Sequence, residues 1–117
     1  MDVLVATRTV HESAAACDHL ADRDGVERVV GVGVAPADDP VAARDAGEAL
    51  TVLEVRLAGL DVTTAVREGD AVAVVREAVA EHGVDEVVVA EGFAEVDGLP
   101  SAVDTPIAVA EDPATGG

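Results

Sequence analysis

The sequence predicts a doubly wound α/β domain, a parallel β-sheet with helices on both faces. Three observations carry this expectation. Short β-branched runs alternate along the chain with longer segments of helical periodicity. The run Val84 to Ala90 is apolar throughout and bounded by acids, as a strand buried on both faces must be. The stretch VREGDAVAVVREAVAEHGVDEVVVA, Val66 to Ala90, holds strand end, turn, helix, turn and strand within the span of one βαβ unit. At 117 residues the chain suits one domain with a proper core and is too short for two.

Each element has its own justification. Val3 to Thr7 is a short buried strand. Thr9-Val10-His11-Glu12 offers a capping box, Thr9 as N-cap and Glu12 reaching back. Val10, Ser13, Ala14, Cys17, Leu20 and Ala21 trace one face of the helix that follows, and Gly25 ends it. Glu27 to Ala35 is a second strand, stopped by Pro36. Asp39 and Pro40 form an N-cap and N1 pair that opens the longest helix. Its apolar stripe is Ala42, Ala46, Ala49, Leu50, Leu53 and Leu57, with Gly59 as exit. Asp61 to Glu68 is a third strand, with Val62, Thr64 and Val66 on one face. Asp70 caps the third helix, Ala71, Val72, Val75, Ala78 and Val79 form its apolar side, and Gly83 closes it. After the strand ending at Ala90 comes a connection containing Gly and acids, then a fifth strand, Pro106 to Ala110. Residues 1–110 therefore form a single domain, and the tail 111–117, EDPATGG, is expected to be disordered.

Composition narrows the function classes. A formal charge of −17 argues against nucleic acid and anionic membrane as partners. Every basic residue is Arg and none is Lys; this acid-rich, Ala- and Val-heavy balance resembles the cytoplasmic proteins of salt-accumulating halophiles. The acids are scattered along the chain, which favours a solvated coat over a binding feature. Cys17, the single cysteine, excludes an internal disulfide and is expected to be a buried, inert thiol. No run approaches the roughly 18 apolar residues of a membrane span. The start MDVLVATR lacks a basic leader region, so a cytoplasmic location is expected.

In doubly wound sheets ligands sit beyond the carboxyl ends of the strands, where strand order reverses. That places Thr7, Arg8, Val34, Ala35, Glu91 and Gly92 as candidate crevice residues. Gly31-Val32-Gly33 lies inside a strand and has Pro36 where a dinucleotide fingerprint needs Gly, so close packing is its expected role. Asp18, His19 and Asp22 read as a solvated helix face in preference to a cation site. Glu91 with Glu95 as an acid/base pair has nothing to support it. Phe93, the one aromatic besides the histidines, reads as an apolar plug in the connection after the fourth strand. Arg8 could meet an anionic ligand, but a salt bridge to Glu91 or Asp38 is favoured. No nucleophile elbow and no Cys/His metal spacing occurs.

Several of these stretches together resemble the universal stress protein family. VLVATR, Val3 to Arg8, is similar to its first strand; the EGD turn and HGVDEVVVA exit are similar to its third helix and fourth strand; DTPIAVA, Asp104 to Ala110, is similar to its closing strand. The resemblance spans Val3 to Ala110. It implies a five-stranded sheet of order 3-2-1-4-5, a homodimer often built by pairing the last strands, and a stress-response role, in a family containing ATP binders and non-binders; on the residues themselves a non-enzymatic role is expected.

The departures concern the ATP site. ATP-binding members carry an Asp at the end of the first strand, where this chain has Arg8. They carry a Gly-x-x-Gly stretch after the fourth strand, followed nine residues later by Gly and Ser or Thr. Here the chain reads AEGFAEVDGLPSAVDTP, with Ala90 and Phe93 in the glycine positions and no Gly-Ser pair at that distance. Those glycines let main-chain N–H groups approach phosphate oxygens closely. Glu91, Glu95 and Asp97 add carboxylates, but repulsion of roughly 3 kcal/mol at ~6 Å and an effective dielectric near 20 fades when molar salt shortens screening to about 3 Å. The lost donors decide: no cofactor is expected, and ATP or AMP is disfavoured. The alternative is an adenine-nucleotide sensor that reads the base through backbone groups near Val34 and Ala35. The connection from Gly92 to Asp104 has barely the dozen residues a crossover needs, so the fourth helix is expected to shrink to at most one turn, Pro100 to Val103, with Pro100 at N1. Sheet left under-covered there would favour a dimer or another protein partner.

Overall fold

The computed structural model describes residues 1–93 and 98–110. The expected disorder of 111–117 and the expected roles of Glu95 and Asp97 lie outside them. Within the described residues nine elements follow one another: β1 (Asp2–Thr7), α1 (Val10–Ala21), β2 (Arg28–Ala35), α2 (Pro40–Arg56), β3 (Asp61–Glu68), α3 (Ala71–His82), β4 (Glu86–Ala90), α4 (Leu99–Ala102) and β5 (Ile107–Ala110). The strands form one sheet of order β3-β2-β1-β4-β5, and each neighbouring pair is parallel. This is the doubly wound arrangement that the strand–helix alternation predicts.

Two apolar layers sandwich the sheet. On one side Val3, Val5, Val29 and Val88 meet α1 and α2 through Ala15, Ala16, Leu20, Leu50 and Leu53. On the other, Leu4, Val30, Val32, Val87 and Val89 meet α3 and α4 through Val74, Val75, Ala78 and Leu99. With one Phe and no Trp or Tyr, these layers are thin. Thinness brings backbones close. A methyl group added at Gly33 would lie 3.0 Å from the Ala46 carbonyl oxygen, and one at Gly31 would lie 2.9 Å from the Leu53 Cδ1. The Gly-Val-Gly stretch therefore lets α2 settle onto β2, the packing role expected of it.

Helix ends follow local chemistry. The Asp39 carboxylate accepts from the Ala42 N–H at 3.0 Å, and Asp70 accepts from Ala73 at 3.1 Å. Gly83 stops α3 in the left-handed region at φ 61°, its N–H donating to the Val79 carbonyl. α1 departs from expectation in its buried face, which comprises Glu12, Ser13, Ala15, Ala16, Cys17 and Leu20; Val10 is 45% exposed. The helix packs against α2 as well as the sheet, and the Ser13 hydroxyl donates to the Ala49 carbonyl at 2.8 Å. That second contact turns Ala15 and Ala16 inward.

The fourth helix is one turn, as the short connection requires, beginning at Leu99 with Pro100 second. Phe93, Leu99 and Val103 are buried and join the core on the α3 side of the sheet.

Candidate functional site

The order β2-β1-β4 makes the switch point. The chain leaving β1 turns into α1 on one face, whereas the chain leaving β4 leads to α4 on the other. Their carboxyl ends diverge, and a crevice opens between Arg8 and Gly92.

That crevice is bridged. The Arg8 Nη2 donates to the Glu12 Oε2 at 2.7 Å and to the Gly92 carbonyl at 2.6 Å. Its guanidinium carbon stands 5.4 Å from the Phe93 ring centroid, within cation–π range. Glu12 is buried to 8% exposure and also accepts from the Arg8 main-chain N–H at 2.8 Å. The capping box is thus displaced by one residue. Thr9 caps α1, its hydroxyl accepting from the Glu12 N–H at 3.2 Å, but Glu12 reaches back to Arg8 and not to Thr9. A carboxylate fixed by a main-chain donor and facing a guanidinium makes charge-assisted bonds, stronger than neutral ones.

A cleft lies on each side of the bridge. One, of about 450 Å³, is lined by Arg8, Val34, Pro36, Ala37, Gly69, Asp70 and Ala71 and is mostly apolar. The other, of about 340 Å³, is lined by Thr9, His11, Glu12, Ala15, Ala90, Glu91 and Gly92. Arg8 lines the first, and both its partners line the second.

No protein-family model and no curated protein sequence matches the chain. Solved structures do match. A universal stress protein family protein from Arabidopsis thaliana with AMP bound superposes with a TM-score of 0.69 at 16% identity, covering 99% of this chain and 94% of that one. The universal stress protein from Archaeoglobus fulgidus in complex with dAMP gives 0.67 at 16% identity, covering 94% and 97%. A hypothetical protein whose biochemical function was assigned from its structure gives 0.77 at 13% identity, covering 94% of each chain. The fold is that of the universal stress proteins.

Within this universal stress protein fold the six expected crevice residues divide. Arg8 and Val34 line the apolar cleft; Glu91 and Gly92 line the other. Thr7 and Ala35 are fully buried and line neither. The Thr7 hydroxyl is within 2.9 Å of the Ser13 hydroxyl and 3.1 Å of the Thr9 carbonyl, a tie between β1 and α1. The Ala35 carbonyl accepts from the Gly69 N–H at 2.8 Å. Arg8 was expected to pair with Glu91 or Asp38; its partner is Glu12. The first turn of α1 returns residue 12 to the end of β1, nearer than either alternative. Glu12 is the site residue that sequence reasoning missed, and its signal was the Arg–Glu spacing of four.

The loop after β4 is occupied by its own bonds. The Glu91 N–H donates to the Ala110 carbonyl at 3.0 Å, and the Phe93 N–H to the Ala90 carbonyl at 2.9 Å. Ala90 and Phe93 are buried at 4% and 2% exposure, so the residues in the glycine positions serve the core. Elsewhere, burial pushes the Cys17 thiol above its ordinary value of 9.0, against the pull of nearby Arg56. Among the described residues no group of three or more His, Cys, Asp or Glu stands ready for a metal ion, and no helix is long and apolar enough to cross a membrane.

Proposed function

We propose that the chain is a non-enzymatic stress-response protein of the universal stress type whose triphosphate site has given way to a side-chain bridge. The Arg8 bond to the Gly92 carbonyl, made from the guanidinium that Glu12 holds, carries this reading. A phosphate cradle needs main-chain N–H groups turned toward the ligand. Here the Glu91 and Phe93 amides are engaged within the fold, and a carbonyl faces the crevice cation. The protein would act as a cytoplasmic homodimer, through protein contacts or a small ligand. The short strand β5, with Val109 46% exposed, is the edge proposed for pairing. Calorimetry with ATP, ADP and AMP in molar KCl tests the reading. Absence of micromolar ATP binding is expected, and micromolar ATP binding overturns it.

The cleft beside Val34 favours one second reading, an adenine mononucleotide sensor. Its apolar lining and single guanidinium suit a base with one phosphate, and fold relatives are described with AMP, cAMP and dAMP bound. AMP binding that is lost in Arg8→Ala, with no ATP binding, would select it.

A further inference from the structure

We propose that the outer edge of β3 is a self-association surface, where a second copy of this chain adds its own β3 antiparallel across a two-fold axis. β3 is eight residues long and pairs with β2 in unbroken register from Asp61 to Glu68. Among the described residues no strand pairs with its other edge. Edge strands that stay unpaired are ordinarily blunted by charged side chains, above all Lys, by Pro, by a bulge or by shortness. β3 has no Lys, Pro or bulge and is not short, and its charges, Asp61, Arg67 and Glu68, stand at its ends around an uncharged centre, whereas β5, the opposite edge, is four residues long.

The occupant is argued from self-complementarity. Registers shifted by one residue would oppose the two faces of the strand, so only even registers continue the sheet. With Thr64 on the axis, Asp61 stands opposite Arg67, Val62 opposite Val66 and Thr63 opposite Ala65. Both ends close with opposite charges, and an apolar pair flanks the centre on the α2 side. No like charges face each other. The next even register leaves Arg67 opposite Thr63 and Glu68 opposite Val62, and forfeits both ion pairs. The edge is open to a second copy: Asp61, Thr63, Ala65, Val66 and Glu68 are exposed, Val66 at 41%. Arg67 already pairs with Glu81 of α3, and its five donors can serve Asp61 of a second copy as well. Two copies of formal charge −17 repel at low ionic strength, so the contact forms in concentrated salt, where screening shortens to about 3 Å. Cross-strand pairs of this kind stabilise a sheet individually by small amounts, and a two-strand contact is weak and reversible.

Sedimentation velocity in molar KCl, on a Val109→Asp background that removes the β5 pairing proposed above, reads the association through β3. Arg67→Asp removes both ion pairs and sets acid against acid at both ends; because molar salt screens all but contact distances, it should weaken the association several-fold, and the exchange Asp61→Arg with Arg67→Asp should restore it. Because Arg67→Asp also loses Glu81, crosslinking provides a separate test with Arg67 intact. In a Cys17→Ala background, Thr64→Cys should form a covalent dimer under mild oxidant. Residues facing each other across the axis have Cα atoms about 4.5–5.5 Å apart, inside the disulfide range of about 4.4–6.8 Å. Thr63→Cys should not crosslink alone but should crosslink when mixed with Ala65→Cys. A chain that stays monomeric, an association abolished by Val109→Asp yet untouched by Arg67→Asp, or equal crosslinking of Thr63→Cys and Thr64→Cys overturns the proposal.

Discussion

Gly33→Ala tests the claim that α2 rests on a bare patch of β2. The new methyl would lie 3.0 Å from the Ala46 carbonyl oxygen, 3.1 Å from the Ala46 Cβ and 3.2 Å from the Leu50 Cδ1. The first two atoms belong to the buried spine of α2, so relief requires the helix to move by a few tenths of an ångström. Overpacking of this kind costs about 1–3 kcal/mol. Against it stands a gain of about 0.4–1 kcal/mol from the stiffer unfolded chain. The net is a loss of about 1–2 kcal/mol, which lowers Tm by roughly 4–12 °C in a domain of this size. Two companions calibrate the result. Gly31→Ala meets the flexible end of Leu53 at 2.9 Å and should cost less. Gly47→Ala, inside α2 with nothing within 4 Å, should stabilise by about 0.5–1 kcal/mol. Thermal unfolding followed by far-UV circular dichroism in concentrated KCl ranks the three. Gly33→Ala melting at or above the wild type would refute the close-approach argument.

Glu12→Ala removes the carboxylate that fixes Arg8 and should cost about 1–2 kcal/mol in denaturant unfolding, discounted for the part-exposed guanidinium. Gly83→Ala forces a side chain into the left-handed region at φ 61° and should lose about 1 kcal/mol, with Gly83→Asn losing less; unchanged melts for both would contradict the assigned helix stop. The raised value of the Cys17 thiol stabilises the fold fully below the unfolded chain's value and is lost as pH climbs through the folded one. Stability should therefore decline above about pH 9 by a component absent from Cys17→Ala, and alkylation by iodoacetamide near neutrality should proceed no faster than opening of the structure.

Helix ends were legible in the sequence because capping is local. Asp39 and Asp70 sit three residues before the amides they accept from, and Gly83 needs only its own backbone. Strand order was legible through resemblance, since apolar runs alone do not say which strands neighbour. The face of α1 was misjudged because two surfaces compete for it, and periodicity weighs only one. β3 alternates like a half-buried strand, yet Val66 on its apolar face is 41% exposed, since an edge position is a property of the whole sheet. At the site, residue types pointed to the carboxyl ends of β1 and β4, where Arg8 and Gly92 lie. They could not reveal that Arg8 spans them, because Gly92 lies 84 residues away and offers only a carbonyl.

Phe93 has a practical consequence. It is the chain's sole phenyl ring, there is no indole or phenol, and it lies beneath the guanidinium that closes the crevice. In a proton NMR spectrum recorded in heavy water after the amides have exchanged, its resonances would share the aromatic window with three imidazoles alone. A molecule that displaced Arg8 would change the charge and shielding felt by that ring, so the unlabelled protein carries its own spectroscopic indicator of an open or shut mouth.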